Sequence, residues 1–99
     1  MKVTIQSVHF TADQKLLDFI EAKLQKLGAT YDAIIEGEVT LKLDNASNNE
    51  NKITEIRLHV PGNDLFAKRQ CNSFEEAADQ VVDALRNQIM KHKEKIRQV

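Results

Sequence analysis

The sequence predicts an α+β two-layer sandwich of order β-α-β-β-β-α, with two parallel helices packed on one face of a four-stranded sheet. Three observations carry that prediction. Two stretches repeat apolar residues at helical spacing, Leu16-Ile20-Leu24-Leu27 and a longer run from Phe74 to Ile96. Four shorter stretches alternate apolar and polar residues, the period of two that marks a half-buried strand. The only proline lies in Pro61-Gly62, between the last two of those strands, and breaks the chain in a tight turn.

Taken in order, Lys2 to Ser7 places Val3 and Ile5 on one face and Lys2, Thr4 and Gln6 on the other. Thr11 then caps a helix, with Gln14 at the reciprocal position of a capping box. Leu16, Ile20, Leu24 and Leu27 form its apolar stripe, supported by Phe19, while Lys15, Lys23 and Lys26 face solvent. Gly28 is expected to close the helix in a left-handed conformation. Beyond a connector holding Tyr31 and Asp32, Glu36 to Asp44 makes a second strand, with Val39, Leu41 and Leu43 inward. Asn45 to Asn51 is polar and turn-prone, and is expected to be mobile.

The third strand runs from about Ile53 to Val60, with Ile56, Leu58 and Val60 inward. The fourth runs from Leu65 to Cys71 and sends Leu65, Ala67 and Cys71 to the core. That phase also points Arg69 inward, which calls for a bulge or a snorkelling side chain. Ser73 and Glu76 make a second capping box and open one long helix to Val99. Its stripe is Phe74, Ala77, Ala78, Val81, Val82, Leu85, Ile89 and Ile96. A strand–helix–strand unit with right-handed crossover makes the first two strands parallel, and short turns make the others antiparallel. The outer sheet face then carries Lys2, Thr4, Thr40, Lys42, Arg57, His59, Phe66, Lys68 and Gln70, a polar and partly basic set.

Ninety-nine residues, 41 % of them hydrophobic, suit one domain over residues 1–99 with a single modest core. The net charge of −1 conceals an asymmetry. Residues 86–99 carry five bases and one acid, whereas residues 1–85 carry nine bases and fourteen acids. The last helix therefore begins acidic, with Glu75, Glu76, Asp79 and Asp83, and ends basic. Acids and bases so placed complement the helix macrodipole by roughly 0.3–1 kcal/mol each, an effect that fades within about one turn of the terminus. Arg86 lies far outside the last turn, and a polyanion-binding arm is the sharper reading. On the residues alone both stand, and charged helix ends are common.

Little here points to catalysis. His9, His59 and His92 have no metal-ligand spacing, and no metal or cofactor is expected. His92 falls on the apolar stripe and reads as a packed histidine with one satisfied nitrogen. Cys71, the single cysteine, reads as a small buried apolar side chain and excludes an internal disulfide. The three glycines form no phosphate loop. With neither a secretory leader nor an apolar run near the ~20 residues of a membrane span, a cytoplasmic protein is expected.

What remains is cationic surface. On the last helix Arg86, Lys93 and Arg97 fall along one line, within about 40° of each other, and Lys91 and Lys95 form a second. Lys23 and Lys26 lie towards the end of the first helix. Parallel helices would gather these residues into a basic rim able to follow a phosphate backbone. With five aromatic residues, most of them in apolar stripes, shape and backbone recognition of folded RNA fits better than base stacking.

The stretches Leu58-His59-Val60, Ala22-Lys23-x-x-Lys26-Leu27, Tyr31-Asp32, Val39-x-Leu41-Lys42-Leu43 and Lys91-His92-Lys93 resemble the ribosome hibernation-promoting factor family, which includes the related ribosome-associated inhibitor. The resemblance spans the whole chain. It implies a non-enzymatic factor that lies in the mRNA and tRNA channel of the small ribosomal subunit, blocks both ligands and stabilises idle ribosomes. By the same resemblance, rRNA contacts fall to Lys23, Lys26, Arg86, Lys91, Lys93, Lys95 and Arg97. The implied partners are the small subunit and its rRNA, with no small-molecule substrate, no membrane, and a monomer away from the ribosome. The last helix departs from the family's acidic-Met-Tyr-Ala-Ala-Ile-Asp start: Phe74 stands for the Met, and Glu75 replaces the aromatic. A chain ending at Val99 also resembles the short forms, without the C-terminal domain that pairs ribosomes. A general duplex-RNA module and a protein–protein module using the acidic half of the last helix are the alternatives.

Overall fold

The period-two stretches pair in chain order. In the computed structural model, which describes residues 1–45 and 49–97 and side chains through residue 94, β1 (Lys2–Ser7), α1 (Gln14–Thr30), β2 (Glu36–Leu43), β3 (Lys52–Val60), β4 (Asn63–Cys71) and α2 (Phe74–Arg97) follow one another. The sheet order is β1-β2-β3-β4. β1 runs parallel to β2, and β2–β3 and β3–β4 are antiparallel. The α+β two-layer sandwich expected from the sequence is the fold observed.

The core lies between the sheet and the helix layer. Leu16, Ile20, Leu24 and Leu27 of α1 and Phe74, Ala78, Val81, Val82, Leu85 and Ile89 of α2 cover Val39, Leu41, Ile56, Leu58, Val60, Leu65 and Ala67. Leu43 keeps the inward phase but ends β2 and is 47 % exposed. The side chain of residue 96, expected on the same stripe, lies outside the described residues.

Several local expectations are corrected. Asp13, not Thr11, caps α1: its carboxylate accepts the Leu16 N–H at 2.9 Å. Thr11 sits two residues too early for any such bond, and the Gln14 side chain turns to Asp18 at 2.9 Å instead of closing a capping box. Asp13→Ala is therefore expected to cost about 1 kcal/mol. Thr11→Ala should stay within about 0.5 kcal/mol. Urea denaturation of the two variants checks both.

Gly28 does not terminate the helix. α1 continues to Thr30, and the Tyr31 N–H closes on the Leu27 carbonyl. A Cβ at position 28 would lie 3.2 Å from the Met1 Cε, so the glycine makes room for the N-terminal residue. Left-handed backbone is needed at Gly62, whose φ of 78° suits the third position of a type II turn after Pro61. That two-residue turn lets Val60 face Asn63, so β4 begins two residues before Leu65. Pairing continues without a bulge through Thr54 opposite Arg69. Arg69 snorkels instead: it is exposed and donates to the Lys68 carbonyl.

At the N-terminus of α2, Ser73 Oγ accepts the Glu76 N–H at 3.1 Å, one of the two bonds of the expected capping box; the reciprocal bond to the Glu76 carboxylate is not made among the described residues. Of the polar Asn45–Asn51 loop, residues 46–48 lie outside the described residues. Its base is held by the Asp44 N–H to the Asn51 carbonyl, and by the Gln70 amide, which reaches Asp44 and the Glu50 carbonyl.

Candidate nucleic-acid interface

Three contacts show that the helices run side by side in the same direction. Phe10, ahead of α1, stacks on Phe74 at the start of α2 with ring centroids 5.1 Å apart. Further along, Lys23 pairs with Asp79. Past the end of α1, Tyr31 meets the edge of His92. At 1.5 Å per residue α2 is about 36 Å long and α1 about 25 Å, so the last turn of α2 extends beyond its contact with Tyr31.

The structure sorts the expected basic residues into two groups. Lys23 and Arg86 engage the protein's own carboxylates. Lys23 reaches Asp79 across the helix pair, and the Arg86 guanidinium donates to Asp83 at 3.2 Å. Helical spacing explains both, since positions 79, 83, 86 and 93 fall on one stripe along the flank facing α1. Such exposed pairs are worth about 0–1 kcal/mol and exchange readily for another anion. They nevertheless leave the first half of this flank close to electroneutral.

Lys26, Lys91 and Lys93 behave differently. Among the described residues none of the three forms an ion pair with an acidic side chain. Lys26 is exposed on α1, and Lys93 lies over the Tyr31 ring at 4.9 Å from its centroid. That cation–π contact positions Lys93 without neutralising it. Lys91 is exposed on the opposite flank of α2, beside a groove lined by Asn63, Asp64, Leu65, Gln88 and His92. Residues 95 and 97 continue the helix, and their side chains lie outside the described residues.

The cationic surface is therefore a cap over the C-terminal ends of both helices rather than a uniform strip down α2. Tyr31 is the organising residue that sequence reasoning missed. It is buried and holds both His92 and Lys93. The signal available was its place directly after a helix, opposite the point where a parallel partner would turn basic.

His92 packs as expected, but the expected satisfied nitrogen is not Nε2, which is buried and has no hydrogen-bond partner among the described residues. Cys71 is buried, and burial pushes its thiol pKa up, with Glu76 and Glu50 adding to the effect. It is a protonated packing group, not a poised nucleophile.

The outer sheet face is corrected more substantially. Its register adds Glu36, Glu38, Glu55 and Asp64 to the basic residues expected there. Lys42 and Lys68 converge on Glu55, at 3.0 and 3.9 Å, and Arg57 lies 3.7 Å from Asp64. Cross-strand pairing cancels the positive charge that a list of basic residues implied. Phe66 is 42 % exposed there, but Arg57 covers its ring at 5.2 Å. Lys42, Lys68 and Arg57 on this face thus each lie within ion-pair distance of an acid. No described helix is long and apolar enough to cross a membrane.

Comparison with known proteins follows the same fold and length. A ribosome hibernation promoting factor from Klebsiella oxytoca is 30 % identical over 98 residues, covering 99 % of this chain and 97 % of that protein. A ribosomal subunit interface protein from Coxiella burnetii superposes with a TM-score of 0.83 at 19 % identity, over 94 % of this chain and 98 % of the other. The N-terminal domain of Protein Y from Thermus thermophilus gives 0.78 at 22 % identity, over 93 % and 99 % of the two chains. At those identities the two structures speak for the fold alone. The family described as Sigma 54 modulation protein / S30EA ribosomal protein matches residues 3–97, nearly the whole chain, and this protein belongs to that family.

Proposed function

We propose that this protein is a ribosome hibernation factor that acts by occupation rather than catalysis. It binds the small ribosomal subunit at the decoding channel, excludes tRNA and mRNA, and keeps idle ribosomes intact in the cytoplasm. The observation that carries this reading is the near-complete match to a family whose relatives are named ribosome hibernation promoting factors. The cap of Lys26, Lys91 and Lys93 at the helix ends supports rRNA as the contacted surface. Residues 95 and 97 extend the same arm, and Lys23 and Arg86 join the contact by exchanging an internal carboxylate for phosphate.

The pairing of Asp79 with Lys23 and of Asp83 with Arg86 disfavours a protein-docking role for the acidic half of α2. Each neutralised phosphate releases condensed counterions, so association with ribosomes should weaken steeply with salt. Co-sedimentation with small subunits across a salt series, with and without tRNA, tests the proposal. Loss with rising salt and competition by tRNA are expected. Equal binding to free duplex RNA would favour a general duplex binder, and indifference to both RNA and ribosomes would refute an RNA-directed role.

A further inference from the structure

On the sheet face turned away from the helices, three strands bring chemistry together that no local motif announces. Glu36 of β2, His59 of β3 and Asp64 of β4 lie directly opposite one another in the sheet register. Glu38 is the next outward-facing residue along β2. The ligand-type atoms of Glu36, Glu38 and His59 all fall within 4.8 Å of one another. His59 Nε2 is 3.0 Å from Glu38 Oε2 and 3.7 Å from Glu36 Oε1, while Nδ1 is 2.9 Å from Asp64 Oδ1.

We propose that Glu36, Glu38 and His59 form a binding site for one divalent transition-metal ion of the zinc class, with Asp64 as the residue that orients the imidazole.

The argument begins with the hydrogen bond at Nδ1. An ionised carboxylate only accepts, so Asp64 requires a proton on Nδ1. In the neutral ring this leaves the Nε2 lone pair facing the Glu38 carboxylate, acceptor against acceptor at 3.0 Å. Such an arrangement needs a positive centre at Nε2. A proton is one solution, and the hydrogen bonds to Asp64 and Glu38 accordingly raise the His59 pKa above its ordinary value of 6.5. A divalent ion is the other. Two carboxylates and a neutral imidazole supply a charge of −2, which a doubly charged ion balances.

The donor set selects the kind of ion. Imidazole with carboxylate suits zinc and its first-row neighbours, whereas magnesium and calcium prefer oxygen throughout. A carboxylate on the far nitrogen fixes the tautomer and raises the basicity of a metal-bound histidine, which is the place Asp64 occupies. Two cations compete for the same acids: Arg57, at 3.7 Å from Asp64, and Lys2, opposite Glu36 on β1. Neither lies within ion-pair distance of Glu36 or Glu38 among the described residues. The face is open to solvent, so water completes the coordination shell. Two paired strands hold the ligands and a third holds Asp64, and only small side-chain movements are needed to reach bonding distance.

An ion that enters while the imidazole carries a proton on both nitrogens displaces the one on Nε2, and one proton is then released per ion bound. Affinity therefore rises with pH until the imidazole is neutral.

Calorimetric titration of the whole chain with zinc chloride tests the site, with circular dichroism confirming that each variant folds. One ion per chain is expected at pH 7.5, bound more weakly at pH 6.0. His59→Gln, and separately Glu36→Gln with Glu38→Gln, should each weaken binding by about 100-fold or more. Asp64→Asn should weaken it by about 10–100-fold, and His9→Asn should leave it unchanged. The site is refuted if the unaltered protein binds no stoichiometric zinc. Undiminished binding by the His59 and double-glutamine variants refutes it equally, as does binding abolished by His9→Asn.

Discussion

Lys26→Glu, Lys91→Glu and Lys93→Glu in combination are expected to abolish association with the small ribosomal subunit while leaving the fold intact. Each lysine is assigned a phosphate contact, and each neutralised phosphate contributes roughly 0.7–0.9 to the slope of log affinity against log salt. A charge-assisted hydrogen bond is worth about 1.5–3 kcal/mol. Losing three and introducing three repulsive charges should lower affinity by well over about 100-fold, and any residual binding should show a salt slope smaller by about 2–3. Lys26 and Lys91 are exposed, so their replacement costs the fold about 0.5 kcal/mol or less each. Lys93 gives up its contact with Tyr31, worth about 0.5–1 kcal/mol. Lys15→Glu, in the first turn of α1 and about 16 Å from Lys26 along the helix, should bind as the unaltered protein does. Sedimentation across a salt series decides the matter. If the triple variant co-sediments undiminished, the basic cap is not the rRNA contact.

Leu24→Ala should produce the largest loss of stability among single core truncations, about 3 kcal/mol within the usual range of 2–5. Leu24 is fully buried, and its Cδ1 lies where α1 crosses β2, 3.5 Å from the position a Cβ would take at Gly37. Gly37 has no side chain to fill the vacated space, which Leu58 and Met1 border there, so part of the cavity persists. For a chain of this length the midpoint of thermal unfolding should fall by roughly 12–24 °C. The glycine also supplies an internal check. Gly37→Ala in the native background puts a methyl 3.3 Å from Leu58 Cδ2, and crowds it. Combined with Leu24→Ala, the same methyl enters the new cavity and should restore part of the lost stability. A double-mutant cycle by urea denaturation measures that coupling. Additive effects would mean that the two sites do not share the space.

The apolar stripes of both helices and the inward residues of β2 and β3 were legible because helix and strand periods are local properties. Leu16, Ile20, Leu24 and Leu27 are buried together as their spacing requires. The cap of α1 was misplaced because Thr11 and Asp13 carry the same kind of signal two residues apart. Gly28 was misread because its reason is Met1, which is distant in sequence. Lysines at the helix ends could be counted from the chain, but their state could not. Among the described residues Lys23 and Arg86 hold carboxylates while Lys26, Lys91 and Lys93 do not; the Lys23 pair and the Lys93 contact with Tyr31 depend on which flank of α2 faces α1.

By itself the sequence determined the order of elements, the two-layer architecture and the drift of charge along the last helix, since each follows from neighbours within a few turns. Only the tertiary structure decided where charge survives. Strand register set Glu55 and Asp64 against the bases of the outer face and gathered Glu36, Glu38 and His59 around one point. Parallel helices brought Tyr31 under Lys93. Electrostatic partners are chosen by distance in space, and no periodicity along a chain records that distance.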